Sequence, residues 1–161
     1  FIMQVFIPPQ IPTPKKSYFD GKYIFLAGTI DMGGSTDWQT EAIKLLEEKY
    51  KDYSYSEDVA ILNPRRDDWD SSWSHEFQDP QLFQQMTWEL DQMSMANVII
   101  MNILPDSKSP ITLLELGLHA NSGKLRVVCP KEFYRSGNVH MICYRNNIPL
   151  YNTLEECIKS L

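Results

Sequence analysis

Between Tyr23 and Ser160 the chain alternates short, nearly unbroken apolar runs with longer amphipathic stretches, and this alternation constrains the fold most. Tyr23–Ala27 (YIFLA), Val59–Leu62, Val98–Ile103 (VIIMNI), Leu125–Cys129 and Ile148–Tyr151 have the length and apolar content of strands buried on both faces. Trp38–Tyr50, Gln81–Ala96, Pro110–Asn121, a short segment near Val139–Arg145, and Thr153–Ser160 read as the intervening helices. Asn63-Pro64 and Pro130 stop two of the strands, and Ser122-Gly123 suits the left-handed end of a helix. Strands that alternate with helices and lack a polar face imply a parallel sheet covered on both sides. Right-handed crossovers then give an α/β, three-layer sandwich of the Rossmann/flavodoxin-like kind, expected to hold five parallel strands in flavodoxin order. Pro8, Pro9, Pro12 and Pro14 make residues 1–21 an extended arm, leaving 22–161 as a single domain.

Charge and cysteine usage remove several classes of function. The net charge is -6 with no basic block, so a nucleic-acid polymer is not an expected partner. Cys129, Cys143 and Cys157 form no C-x-x-C pair, and they make no metal-ligand spacing with His75, His119 and His140. No metal is expected, and three scattered thiols suit a reducing, cytoplasmic setting. No apolar stretch reaches the length of a membrane span, and Phe1–Pro14 lacks the pattern of a signal peptide. Gly28, Gly33 and Gly34 do not follow G-x-G-x-x-G, and Ser122-Gly123-Lys124 lies at the wrong sheet edge for a phosphate loop. No cofactor is expected either.

Ligands of such folds bind beyond the carboxyl ends of the strands. The loops leaving those ends are Gly28–Thr36, Asn63–Trp73, Leu104–Pro110 and Pro130–Asn138, all rich in polar, glycine or aromatic residues. Gly28 opens the first and lets a sugar approach the backbone closely. Trp69 and Trp73 in the second offer indole faces to a flat heterocycle, beside several carboxylates. Glu115, in the run Ile111–Leu118 just after the central strand, has Ile111, Thr112, Leu118 and His119 as helical neighbours. A carboxylate in such apolar company, near the strand ends, is the sharpest catalytic candidate. The nearby helix N-terminus is expected to favour its ionised form by roughly 0.3–1 kcal/mol.

Five segments together resemble the nucleoside 2-deoxyribosyltransferase family, and in particular its transferase-like branch. They are Ile24–Gln39 (IFLAGTIDMG…DWQ), Asn63–Trp73 (NPRRDDWDSSW), Trp88–Ile100 (WELDQMSMANVII), Ser109–Leu125 (SPITLLELGLHANSGKL) and Cys129–Val139 (CPKEFYRSGNV). The resemblance implies a Rossmann-like sandwich in which Glu115, in the ELG motif, attacks C1′ of a 2′-deoxynucleoside and expels the base. The covalent deoxyribosyl-enzyme then passes the sugar to a second free nucleobase, or to water. This is the two-displacement logic of retaining glycosidases. It implies further that Glu89 protonates or orients the leaving base, and that Asp68 and Trp69 line the base pocket. Asn138 resembles an asparagine that reaches a neighbouring subunit's 5′-hydroxyl, which makes a homo-oligomer with a shared active site the expected assembly. Nucleotide salvage is the expected context.

Two positions depart from the family pattern. Ser109 stands where well-known transferases carry an aspartate six residues before the nucleophile, and Phe25 replaces a first-strand tyrosine. Related N-glycosidases that hydrolyse 2′-deoxynucleoside 5′-monophosphates also have a serine there, so hydrolysis of a monophosphate is the alternative activity. Asp31, in the first loop, would repel a phosphate and favours the unphosphorylated nucleoside. A non-catalytic module that holds a nucleotide derivative is the other alternative.

Overall fold

The computed structural model describes residues 3–12, 21–30, 35–52 and 58–161. Six strands and five helices follow one another as β1 (Met3–Phe6), β2 (Lys22–Gly28), α1 (Trp38–Tyr50), β3 (Val59–Leu62), α2 (Pro80–Met95), β4 (Val98–Asn102), α3 (Pro110–His119), β5 (Leu125–Val128), α4 (Ser136–Arg145), β6 (Leu150–Tyr151) and α5 (Leu154–Lys159). Local chemistry starts several helices where they begin. Asp37 accepts the Thr40 N–H ahead of α1, Thr153 accepts that of Glu156 ahead of α5, and Asp79 accepts those of Gln81 and Leu82. Pro80 then occupies the first turn of α2, where its missing N–H costs nothing.

All strands run parallel in the order β1-β3-β2-β4-β5-β6. Without β1 this is the flavodoxin order, so the Rossmann/flavodoxin-like α/β class holds and the strand count is six rather than five. The extra strand comes from the segment read as an arm: Met3–Phe6 pairs with Val59–Leu62 in register. Four residues ahead of Pro8 are too few to show a period against the prolines that follow. Being an edge strand, β1 also lacks the apolar continuity of the central ones, and Gln4 and Val5 are exposed. Behind it, the Trp88 indole donates to the Gln10 carbonyl at 2.6 Å, tying the segment to α2.

Helices α2, α3 and α4 cover one face of the sheet, where Trp88, Met93, Leu116, Val139 and Cys143 pack on Phe25, Ile99 and Val127. Helices α1 and α5 cover the other, through Trp38, Leu46, Leu154 and Ile158. Both faces of β4 are therefore dry, as its unbroken VIIMN sequence requires. Strand β2 lies between β3 and β4, so the chain direction of the crossovers reverses there and a crevice opens at the carboxyl ends of those strands. Among the described residues, no helix is long and apolar enough to cross a membrane.

Candidate active site

The crevice begins at Gly28, the last residue of β2. Its φ is +133°, and a β-carbon built there would lie 2.1 Å from the Asn102 carbonyl oxygen of β4. Glycine is needed here for contact between two backbones, and the following Thr29 N–H donates to that same carbonyl at 3.0 Å. The Thr29 hydroxyl accepts the Leu104 N–H at 3.0 Å and bonds Ser109 at 2.6 Å and Ser107 at 3.1 Å. Ser109 Oγ and Ser107 Oγ are 2.7 Å apart, and Ser107 donates to the Leu104 carbonyl. This buried hydroxyl cluster joins the loops after β2 and β4. It also holds Ser109 at a left-handed φ of 47°, from which α3 starts.

Above the cluster lies a cavity of about 650 Å³ walled by β2, the loop after β3, α2 and α3. Glu115 of α3 and Glu89 of α2 both line it, together with Gly28, Trp69 and Ser109. Phe25, Ala27, Leu82, Met86 and Ile111 make much of the remaining wall apolar. Burial in these surroundings pushes the Glu89 carboxyl up to about 7, although the Gln85 amide that bonds it pulls the other way. Burial, and then the charge of Glu89, push Glu115 up to about 8. The expected preference of the helix N-terminus for ionised Glu115 is therefore outweighed. Glu115 is the sixth residue of α3, beyond the first turn in which the helix dipole acts, and desolvation dominates. The charge of Glu89 opposes ionisation of Glu115, so the two carboxyls titrate as an interacting pair.

The loop after β3 lies over the cavity and is braced internally. Arg66 forks onto Asp68 at 2.6 and 2.9 Å and stacks 5.1 Å from the centre of the Trp73 ring, while Trp73 packs 5.1 Å from Trp69. Arg65 reaches back to Ser35, Thr36, Gln39 and Asp37 at the start of α1.

Of the residues singled out from sequence, Glu115, Glu89, Gly28, Trp69 and Ser109 meet in this one cavity. Asp68 does not line it: its side chain is exposed, and Arg66 holds its carboxyl below the usual range. Asn138 lies in a separate groove between α3 and α4, beside Leu113, Gly117, Tyr134 and Arg135, so the fourth loop does not join the other three. Asp31 lies outside the described residues. Thr29, Gln85, His75, Leu82 and Met86 line the cavity without having stood out in the sequence. Gln85 carried a usable signal, since four residues separate it from Glu89 on one helix face. Among the described residues no cluster of potential ligands is arranged to hold a metal ion.

No curated protein matches the chain. A family model described as nucleoside 2-deoxyribosyltransferase like matches residues 21–133, which is well over half of the sequence and runs from β2 through the whole cavity wall. The chain belongs to the nucleoside 2-deoxyribosyltransferase-like family.

Proposed function

We propose that the protein is a nucleoside 2′-deoxyribosyltransferase that works through a covalent deoxyribosyl-Glu115 intermediate. The observation that carries this is the pair of largely buried carboxyls, Glu89 and Glu115, on neighbouring helices and facing one cavity of nucleoside size. In the first displacement the Glu115 carboxylate attacks C1′ and the bond to the base nitrogen breaks. The electron pair goes to the base, which takes a proton from Glu89. In the second, a nitrogen of the incoming base attacks C1′, the bond to Glu115 breaks, and Glu89 recovers a proton. The chemistry requires Glu115 ionised and Glu89 protonated at the moment of attack; burial raises both carboxyls, which keeps a proton available to Glu89 near neutral pH, and Glu115 must give up its own before it attacks. Trp69 supplies a face for the base, and the hydroxyl at Ser109 suits the sugar.

Arg65, Arg66 and Ser109 in the cavity wall also suit a 5′-phosphate, which supports hydrolysis of a deoxynucleoside 5′-monophosphate as the second reading. Both guanidinium groups are already engaged, Arg66 by Asp68 and Arg65 by the start of α1, and this favours the free nucleoside. Incubation of deoxyinosine with adenine should yield deoxyadenosine, and the nucleoside should be used about tenfold or more faster than its monophosphate. Free base without a transfer product, and a preference for the monophosphate, would assign the protein to the hydrolases. An unchanged nucleoside panel would leave a binding module.

The site is also proposed to be shared between copies of the chain. Leu114, Leu118, Met141 and Ile142 are exposed apolar residues on α3 and α4, and with the groove at Asn138 they form a face suited to a second copy. Sedimentation at micromolar concentration should find a dimer or a larger assembly. A monomer would remove the proposal.

A further inference from the structure

Gln85 is almost fully buried in α2, and each of its amide atoms has a partner that fixes which way round the group lies. Its Nε2 donates to the Pro64 carbonyl at 3.1 Å and to Glu89 Oε1 at 2.9 Å. Its Oε1 accepts from Arg66 Nη1 at 3.4 Å. A flipped amide would set N–H against guanidinium and oxygen against carbonyl, so the donor end stays on Glu89. With Oε1 taken by an N–H, a proton on Glu89 belongs on Oε2. The charged and titratable groups facing Glu89 from the packed elements are Glu115 of α3 and Arg65, Arg66 and His75 of the loop after β3, with Asp68 behind Arg66.

We propose that Gln85 is a positioning residue that confines the proton of Glu89 to Oε2 and aims it at the leaving base. This rests on the assignment of Glu89 as the acid in the transferase reading. The braced loop supplies the anchor, because Pro64 and Arg66 belong to it. Position and acidity are thus set together: the amide favours the ionised carboxylate and keeps Glu89 a willing donor in a site whose burial favours the protonated form.

The test compares two leaving groups. Deoxyinosine releases a base that needs a proton, whereas 7-methyl-2′-deoxyguanosine carries its positive charge already and releases a neutral base. Gln85→Met should lower kcat on deoxyinosine about tenfold or more with little change in KM. It should also shift the pH profile of kcat, since removing the N–H disfavours ionised Glu89. On the methylated substrate it should stay within about threefold of wild type. Gln85→Leu removes the same donor without adding a charge and should shift the profile in the same way, so it decides the matter where Gln85→Met does not fold. Equal losses on both substrates with an unmoved pH profile would overturn the role of Gln85. Glu89→Gln separates this failure from failure of the underlying assignment. Loss confined to deoxyinosine keeps Glu89 as the acid, whereas full activity on deoxyinosine removes the acid and the proposal with it.

Discussion

On the proposed mechanism, Glu115→Gln and Glu115→Ala should each lower turnover of a deoxynucleoside by about four orders of magnitude, because each removes the carboxylate assigned to attack C1′. With a slow substrate, mass spectrometry of the wild type should find a deoxyribosyl adduct on the peptide that contains Glu115. The glutamine variant also reports on folding. In the folded protein this carboxyl titrates near 8, against an ordinary value of 4.5. Between those limits the unfolded chain has released a proton that the folded chain still holds, so wild-type stability falls as pH rises. Below about 4.5 both states are protonated and the group contributes nothing. Glutamine cannot ionise, so Glu115→Gln should melt above the wild type at pH 8 while being nearly inactive. A folded variant with near-normal turnover would remove Glu115 as the nucleophile.

The cost of this carboxyl to the fold follows from its surroundings. Thr112 and Leu116 are buried while Ile111, Leu114 and Leu118 are exposed, so Glu115 sits on the border of α3 between the sheet and the outer face. It is withdrawn from water there without gaining a cation among the described residues. Among the described residues no ion pair to Glu115 or Glu89 forms, and the cavity's two arginines are turned to other partners. With no such cation to offset burial, both carboxyls are raised, and each holds its proton to a higher pH than an exposed glutamate.

Much of the scaffold was legible because its strands carry so little polar sequence. The VAIL run of β3 and the thirteen residues of α1 read from sequence with the bounds that the structure has. Strand β1 was not legible, since four residues at a sheet edge have neither period nor continuity to betray them. Within the site, Glu115 and Trp69 stood out by type against their neighbours. Asp68 was misplaced because a loop's composition does not say which of its acids turns toward its own arginine. Thr29 and Ser107 escaped notice for a different reason: single hydroxyls carry no pattern, and these act only once β2 and β4 bring their loops together. The ionisation state of Glu115 was misjudged because position along a helix is visible in sequence and desolvation is not.

Gly28 shows how a residue picked for one reason serves another. Its glycine was expected to admit a sugar, and it does line the cavity, but the stronger constraint is the neighbouring strand. In Gly28→Ala the new methyl would meet the Asn102 oxygen at 2.1 Å and its carbonyl carbon and amide nitrogen at 2.8 Å, on backbone whose φ of +133° already excludes most side chains. None of these atoms is the end of a flexible side chain, so β2 would have to part from β4 at the centre of the sheet. We expect a loss of about 3 kcal/mol or more, which in a chain of this size lowers Tm by roughly 6–12 °C. The Thr29–Ser107–Ser109 cluster hangs from the same junction, so activity should fall further than the melting temperature explains. Gly117 provides the control. It lies within α3, nothing stands within 4 Å of where its β-carbon would be, and Gly117→Ala should raise helix stability by about 0.5–1 kcal/mol. If calorimetry gave Gly28→Ala a wild-type Tm, the two strands would not be locked at this residue, and the close approach of Gly28 to Asn102 could not be what holds the crevice open.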